Sequence, residues 1–391
     1  MLILGLLFSS SLATPTTKTV YIMRHCVRSQ FFPALEYLPN FRYLSNYSDG
    51  GPLPDFGVAP SLCTARGRRI IAAQGKSMAR EIAERSSGGN LKVIYDGGAK
   101  RDRTTAEDFL SGAGHPLDLA KPDATIFNPQ RAHFCPYPTA VEYQHAIATQ
   151  LDSVKRPADL DSLLHRLQAK LGQGVAPPIP SLNSTISSKG YWLGREYVAS
   201  GWAETMLLQY GSGLPVGYGR VSPSELYDFL ALHVYYRAVN NRGFVIEQRG
   251  QSNLLMHMLD DLASDGKGNE ATLYVGHDTQ LDGLAVLLNL TWEAPPYPAD
   301  TTTPGSMLRL TRTGEGPGAT VQADYLYATF ENEDGEMKVA ASTRFVSASG
   351  ASSRSLPLPT FAAAVRGAVD WRCVRNATQD EGVPTVEPTG V

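Results

Sequence analysis

Three short apolar runs along the chain end abruptly in charge. Residues 19–23 (TVYIM), 91–95 (LKVIY) and 272–275 (TLYV) are compact and rich in β-branched and aromatic side chains, the pattern of buried strands. Each runs into polar groups: Arg24-His25 after the first, Asp96-Gly97-Gly98 after the second, His277-Asp278 after the third. In open α/β sheets, ligands bind beyond the carboxyl ends of the strands. Three strands that deliver charge at those ends therefore predict one shared site.

Helical patterns lie between the runs. Residues 67–85, rich in Ala, Arg, Glu and Ile, suit a helix covering the sheet. Residues 197–210 place Ala199, Ala203, Met206 and Tyr210 on one stripe, with Gly211 expected as the C-terminal cap. Ser222-Pro223-Ser224-Glu225 is a capping box with Pro at the first helical position, and opens a helix to about Arg237. A further helix is expected to start at Asn253, run to Ala263 and lead into the third strand. Residues 307–310 and 325–330 alternate around a Gly-rich turn at 314–318, as in a hairpin. These stripes read as core faces and carry no chemistry.

The pattern predicts an α/β fold: a doubly wound core sheet with an inserted, mostly helical second domain. The core is expected over 17–129 and 243–378, the insertion over 130–242, and a loose tail over 379–391. Residues 33–60, rich in Tyr, Pro, Asn and Gly, read as a long loop.

Composition narrows the function. A formal net charge of -3 over 391 residues argues against nucleic acid as the main partner, because phosphate-backbone binding needs a basic face. Residues 1–13 read as a signal peptide, with an apolar run from Leu2 to Leu7 and small residues at the expected cleavage point, although no Lys or Arg precedes the run. The run is too short to span a bilayer, and no later stretch is long and apolar enough, so no stable membrane insertion is expected. Four widely spaced cysteines (Cys26, Cys63, Cys135, Cys373) exclude zinc-ribbon spacing and favour at least one disulfide in an exported chain. Cys135 and Cys373 are the expected participants, because Cys26 adjoins the candidate nucleophile. Four glycosylation triplets begin at Asn46, Asn183, Asn289 and Asn376.

The chemistry concentrates at the strand ends. In Arg24-His25-Cys26-Val27-Arg28 a histidine is flanked by two arginines. Imidazole can attack phosphorus, and guanidinium groups can fork onto phosphoryl oxygens and hold developing charge. In Gly276-His277-Asp278-Thr279 an Asp could protonate a leaving oxygen and a His could bind the phosphoryl group. Arg101, after the second run, would add a third guanidinium, and Thr105, Ala106, Phe109, Leu110 and Gly112 beyond it read as helix packing.

These residues resemble the histidine acid phosphatases, the branch of the histidine phosphatase superfamily that includes bacterial acid phosphatases, glucose-1-phosphatases and phytases. That family carries R-H-G-x-R-x-P near its N-terminus and G-H-D-T-N near its C-terminus. Arg24, His25 and Arg28 match the first motif; Gly276, His277, Asp278 and Thr279 match the second. Thr64-Ala65-Arg66-Gly67 is similar to a family helix start, Phe127-Asn128-Pro129 with Cys135 to a segment ahead of its helical domain, and Ala203-Glu204 with residues 207–210 to a helix of that domain. Residues 303–306 are similar to its P-P-G-G stretch.

The resemblance implies that His25 forms a phosphohistidine. Arg24, Arg28, Arg101 and His277 would bind the phosphoryl oxygens, and Asp278 would protonate the leaving alcohol. The partner would be a small phosphomonoester, with no metal or cofactor. Three positions depart from the motifs: Cys26 replaces the glycine, Gln30 the proline, and Gln280 the asparagine. Arg101 is preferred to Arg103 from the spacing to Thr105, Phe109 and Gly112, although Asp96 is one residue out of step.

Two alternatives stand beside this reading. A phytase would want extra cations at the mouth, where Ser29, Gln30, Phe31 and Phe32 follow Arg28. An inactive secreted binding protein could also use this fold. A serine hydrolase lacks support, since no G-x-S-x-G elbow occurs.

Overall fold

The computed structural model describes residues 17–30, 43–85, 91–264, 270–331 and 335–375. The signal-peptide segment, the tail over 379–391, Phe31 and Phe32, residues 33–42 of the 33–60 loop, and Asn376 lie outside the described residues.

The chain opens with β1 (Thr17–Arg24), α1 (Ala65–Arg85), β2 (Leu91–Tyr95), α2 (Lys100–Ala113), β3 (Ala120–Pro122) and α3 (Ala124–Phe127). Four helices follow: α4 (Ala140–Ser153), α5 (Leu160–Leu171), α6 (Arg195–Ser212) and α7 (Pro223–Asn240). A short ribbon, β4 (Thr185–Ile186) and β5 (Trp192–Leu193), precedes α6. Then come α8 (Phe244–Ala263), β6 (Glu270–Gly276), α9 (Asp278–Leu287), β7 (Leu290–Glu293), β8 (Met307–Thr313) and β9 (Thr320–Tyr327). The last elements are β10 (Lys338–Val339), β11 (Ser342–Val346), β12 (Ser352–Ser353), β13 (Ser355–Pro357) and α10 (Leu358–Ala368).

The main sheet runs in the order β10-β9-β8-β1-β6-β2-β3, with β13 pairing off β9. Strands β1, β6, β2 and β3 are parallel neighbours, and β8 joins β1 antiparallel. Strand alternation decides which residues meet which helices. Tyr21 and Met23 of β1, Val93 of β2, and Leu273 and Val275 of β6 pack on one face with Ile71, Met78 and Ile82 of α1 and Phe109 and Leu110 of α2. Val20, Ile22, Ile94 and Tyr274 point to the other face, into a core shared with Leu254, Leu255 and Leu259 of α8 and Leu281 and Leu284 of α9. Helices thus cover both faces, as expected for a doubly wound sheet. The fold is mixed α/β, since β8, β9 and β10 extend the parallel strands with an antiparallel edge.

Local expectations met different outcomes. The capping box at Ser222 is present, with the Glu225 amide donating to Ser222 Oγ and the helix running on to Asn240. The hairpin forms as β8 and β9. Gly211 is not a cap, because α6 continues to Ser212 and is closed by Gly213 in the left-handed region at φ 73°. The role of Gly211 is close approach: a Cβ there would lie 2.8 Å from Val27 Cγ2. Helix α8 starts at Phe244 rather than Asn253. Its first turns hid from the hydrophobic pattern because they bury polar side chains, Glu247 and Gln251, and expose Phe244 and Val245. No described helix is long and apolar enough to cross a membrane.

Helices α1 and α2 pack with almost no space between their backbones. A Cβ on Gly112 would lie 1.8 Å from the Ala72 carbonyl oxygen, and one on Gly75 would lie 2.1 Å from that of Phe109. Because the obstruction is backbone, no side chain can swing aside to relieve it. Overpacking of this kind costs about 1–3 kcal/mol. Gly112→Ala is therefore expected to lower unfolding free energy by at least the upper part of that range, read as a shift in urea midpoint at unchanged slope. A midpoint equal to wild type would mean the helices separate freely.

Candidate active site

The parallel register brings the charged strand ends together. Arg24 pairs with Gly276, the His25 amide donates to the Gly276 carbonyl at 2.9 Å, and the Asp96 amide donates to the Val275 carbonyl at 3.0 Å. The side chains that follow β1, β6 and β2 therefore sit side by side.

His25 is almost fully buried, at 2% exposure. Its Nδ1 lies 2.9 Å from the Cys26 carbonyl oxygen. A carbonyl only accepts, so Nδ1 carries the proton and Nε2 keeps a lone pair. Burial pushes the imidazole pKa well below its ordinary value, and Arg101, Arg24, His277 and Arg28 push it further. The ring is a neutral base of fixed tautomer.

Guanidinium groups surround it. Arg24, wholly buried, sits 2.6 Å from Glu204 Oε1 and 3.0 Å from Asp278 Oδ2, and also donates to the Thr302 carbonyl. Arg28 lies 3.6 Å from the same Glu204 oxygen. Arg101, in the first turn of α2, donates to Ser61 Oγ at 2.7 Å and to His277 Nδ1 at 2.9 Å. Arg103 points outward instead and pairs with Glu107 at 2.7 Å.

With its Nδ1 accepting from Arg101, His277 carries its proton on Nε2. That nitrogen lies 3.1 Å from Asp96 Oδ2 and 3.2 Å from Asp102 Oδ2. The two carboxyl groups are driven apart in acidity. Burial raises Asp102 well above the usual carboxylate range. Burial also acts on Asp96, but the contact with His277 and bonds from the Gly98 amide and Asn128 hold it low. The ring centroids of His25 and His277 are 5.5 Å apart.

Asp278 opens α9. Burial opposes its ionisation, yet Arg237, Arg24 and Arg28 hold it well below the usual range. Its Oδ2 lies 3.2 Å from Arg237 Nη1. Glu204 is held low against burial by Arg24 and His233, whose Nε2 lies 3.2 Å from Glu204 Oε2. Behind Arg237, Asp282 accepts from its Nε at 2.7 Å and from Arg242 Nη2 at 2.9 Å. Gln280, standing where the resembling motif has Asn, accepts from the His277 amide at 2.8 Å and closes the first turn of α9.

The six residues singled out from sequence, Arg24, His25, Arg28, Arg101, His277 and Asp278, thus lie in one cluster. Sequence reasoning passed over Arg237, Asp102, His233 and Ser61. Arg237 gave no local signal, since its partner Asp278 is brought close only by tertiary packing. Asp102, between Arg101 and Arg103, reads as part of a solvated charge run.

Cys26 is bonded to Cys63, and Cys135 to Cys373. The expected pair Cys135 and Cys373 is joined, and the expectation that passed over Cys26 is corrected: it follows His25 in sequence, but its side chain turns away from the site into the core beneath α1 and α2. Donor atoms of His25, Asp102 and His277 lie within 4.8 Å of one another. Arg24, Arg28 and Arg101 crowd the same space, and that field favours an anion over a cation. A separate cleft of about 490 Å³, lined by Trp192, Tyr235, Arg195 and Glu196, shares none of these residues, and its Arg195 and Glu196 pair with each other.

A charge-assisted hydrogen bond contributes about 1.5–3 kcal/mol, roughly ten- to a hundredfold in affinity. Arg101→Ala is expected to weaken binding of inorganic phosphate by that factor in titration calorimetry, and Arg103→Ala to leave it within about twofold. Equal losses would remove Arg101 from the anion site.

No protein-family model and no curated protein matches the sequence. The fold does have solved counterparts. A Klebsiella phytase superposes with TM-score 0.77 at 18% identity, covering 92% of this chain and 98% of its own. A Citrobacter braakii phytase gives 0.75 at 20% identity, over 92% and 100%. A Hafnia alvei phytase in complex with tartrate gives 0.76 at 19% identity, over 92% and 99%. Phytases of this kind are histidine acid phosphatases, and theirs is the fold this chain adopts.

Proposed function

We propose that the protein is an exported acid phosphatase that hydrolyses phosphomonoesters through a phosphohistidine on His25. The observation that carries this is the neutral, tautomer-fixed His25, whose Nε2 lone pair is held among Arg24, Arg28 and Arg101. Export rests on the two disulfides, which persist in oxidising compartments.

The phosphoryl oxygens take the guanidinium groups now turned to Glu204, Asp278, Ser61 and His277. As Arg101 turns to the phosphate, His277 Nδ1 is released and takes up a proton, with Asp96 beside Nε2 as counter-charge. The lone pair of His25 Nε2 forms the P–N bond while the P–O bond to the leaving group breaks. The leaving oxygen takes the proton of Asp278. Water then attacks the phosphohistidine, its proton passes to Asp278, the P–N bond breaks, and inorganic phosphate departs.

Asp278 must hold a proton for the first step, whereas in the free site its partners keep it ionised. A phosphate dianion competes for Arg24 and places negative charge beside the carboxylate, which raises its pKa in the complex. Substrate thus prepares its own acid.

We assign a phosphomonoester with a weakly charged leaving group. Beyond Arg28 the chain offers Ser29 and Gln30, and Gln30 Oε1 accepts from Thr205 Oγ1 at 2.9 Å, so the described residues that follow Arg28 here are neutral. Phytase activity is the alternative raised by the names of the structural neighbours. It would be favoured by a higher kcat/KM on phytate than on phenyl phosphate.

General acid catalysis contributes about 10²–10⁴-fold. His25→Ala should abolish turnover and the acid-labile phosphoenzyme seen by mass spectrometry. Asp278→Ala should still form phosphoenzyme from nitrophenyl phosphate, and should lose far more activity on alkyl phosphates, whose leaving oxygen needs a proton. Equal losses on both substrates would make Asp278 structural.

The pH profile follows from the same groups. Because His25 titrates well below an ordinary imidazole (about 6.5), the nucleophile stays neutral as pH falls through that value. Activity is lost instead as pH rises and Asp278 in the complex gives up its proton. kcat should therefore be highest in acid, with the falling limb on the alkaline side. A kcat that climbs from pH 5 to 8 would overturn the assignment.

A further inference from the structure

Two segments carry the arginines in question, the end of β1 and the loop after it with Arg24 and Arg28, and the first turn of α2 with Arg101; a third segment before α1 touches both, tied to the first by a disulfide. Cys26 follows the nucleophile directly, and its carbonyl holds His25 Nδ1. Its sulfur is bonded to Cys63, in the segment that leads into α1. That segment runs antiparallel to the nucleophile loop: Arg28 pairs with Cys63, the Ser29 amide donates to the Leu62 carbonyl at 2.9 Å, and the Thr64 amide donates to the Val27 carbonyl at 3.0 Å. Two residues before Cys63, Ser61 is held at φ 69°, a left-handed conformation unusual for a side chain other than Gly or Asn. In that conformation its Oγ receives Arg101 Nη1 at 2.7 Å. Helix α2 joins through Thr105, whose hydroxyl accepts from the Cys26 amide at 2.9 Å and donates to the Arg101 carbonyl at 2.8 Å.

Resting on the phosphatase reading, we infer that the Cys26–Cys63 disulfide and Ser61 form one positioning unit that sets the distance between Arg101 and the pair Arg24 and Arg28. Neither sulfur touches the reacting atoms. The bond fixes the Ser61 turn against the nucleophile loop, and Ser61 fixes the Arg101 guanidinium. Without the bond, the Ser61 turn is free to relax to an ordinary backbone conformation, and Arg101 loses one of its acceptors and keeps His277 Nδ1. The other disulfide, Cys135–Cys373, joins the segment before α4 to the end of the described chain and has no part in this unit.

The test is a double-mutant cycle read in binding of inorganic phosphate and in KM and kcat for nitrophenyl phosphate. C26A/C63A and Ser61→Ala are each expected to raise the phosphate Kd and KM about tenfold, the loss of one aimed contact. Combined, they should add less than about twofold to either alone, because both break the same unit. kcat should fall less than KM rises, within about threefold, as the groups that make and break bonds remain. C135A/C373A should lower the melting temperature and leave Kd unchanged.

A folded C26A/C63A protein with wild-type Kd, or losses that multiply in full on combination, would overturn the inference. Should C26A/C63A fail to fold, the C135A/C373A protein supplies the same comparison. Dithiothreitol reduces its one remaining disulfide to two thiols and leaves as the cyclic disulfide. Two titratable thiols with an unchanged Kd would overturn the inference, and a tenfold rise would sustain it. A wild-type protein that binds phosphate but turns over no ester defeats the phosphatase reading alone, with the positioning unit still judged on Kd. One that binds no phosphate defeats both.

Discussion

The site depends on keeping guanidinium groups out of water. Arg24 is fully buried, and Arg28, Arg101 and Arg237 nearly so. Buried charge is tolerated only when paired. Glu204 and Asp278 answer Arg24, Glu204 also answers Arg28, and Asp278 and Asp282 answer Arg237. On the phosphatase reading, substrate binding would be an exchange of anions, in which a phosphoryl group displaces Glu204 and Asp278 from arginines whose desolvation is already met in folding.

The lattice of charge continues behind the site and stops at a neutral acid. Arg242 shares Asp282 with Arg237 and reaches Asp300. Glu247, pushed up to about 8 by burial and by the charge of Asp282, remains protonated in acid and adds no further anion. Gly283 makes room for it, since a Cβ there would lie 2.3 Å from Glu247 Oε2. Asp102 plays the same part on the other side of the pocket, a buried carboxyl kept neutral beside His277.

Much of this was legible in the sequence because compact apolar runs with abrupt polar endings are local signals. The roles of the six residues came from the family resemblance, whereas strands β1, β2 and β6 and the charged groups at their ends followed from those signals. The start of α8 did not, because Glu247 and Gln251 are polar yet inward-facing, and no pattern of hydrophobicity marks a side chain buried for its charge partner. Gly211 was read as a cap because termination is the common use of glycine at a helix end, whereas contact with Val27 belongs to tertiary structure. Arg237 lay hidden for the same reason, its partners Asp278 and Asp282 being far along the chain. The disulfide at Cys26 was missed because proximity to a nucleophile says nothing about which way the next side chain points.

Helices α2 and α9 both begin at the strand ends, with Arg101 and Asp278 in their first turns. Each helix carries partial positive charge at its N-terminus from aligned peptide dipoles. Unlike a guanidinium, that charge is part of the backbone and cannot rotate away. On the phosphatase reading, the pocket would thus hold two kinds of attraction for an anion: mobile cations that must first be released from their partners, and a standing field present before any side chain has moved.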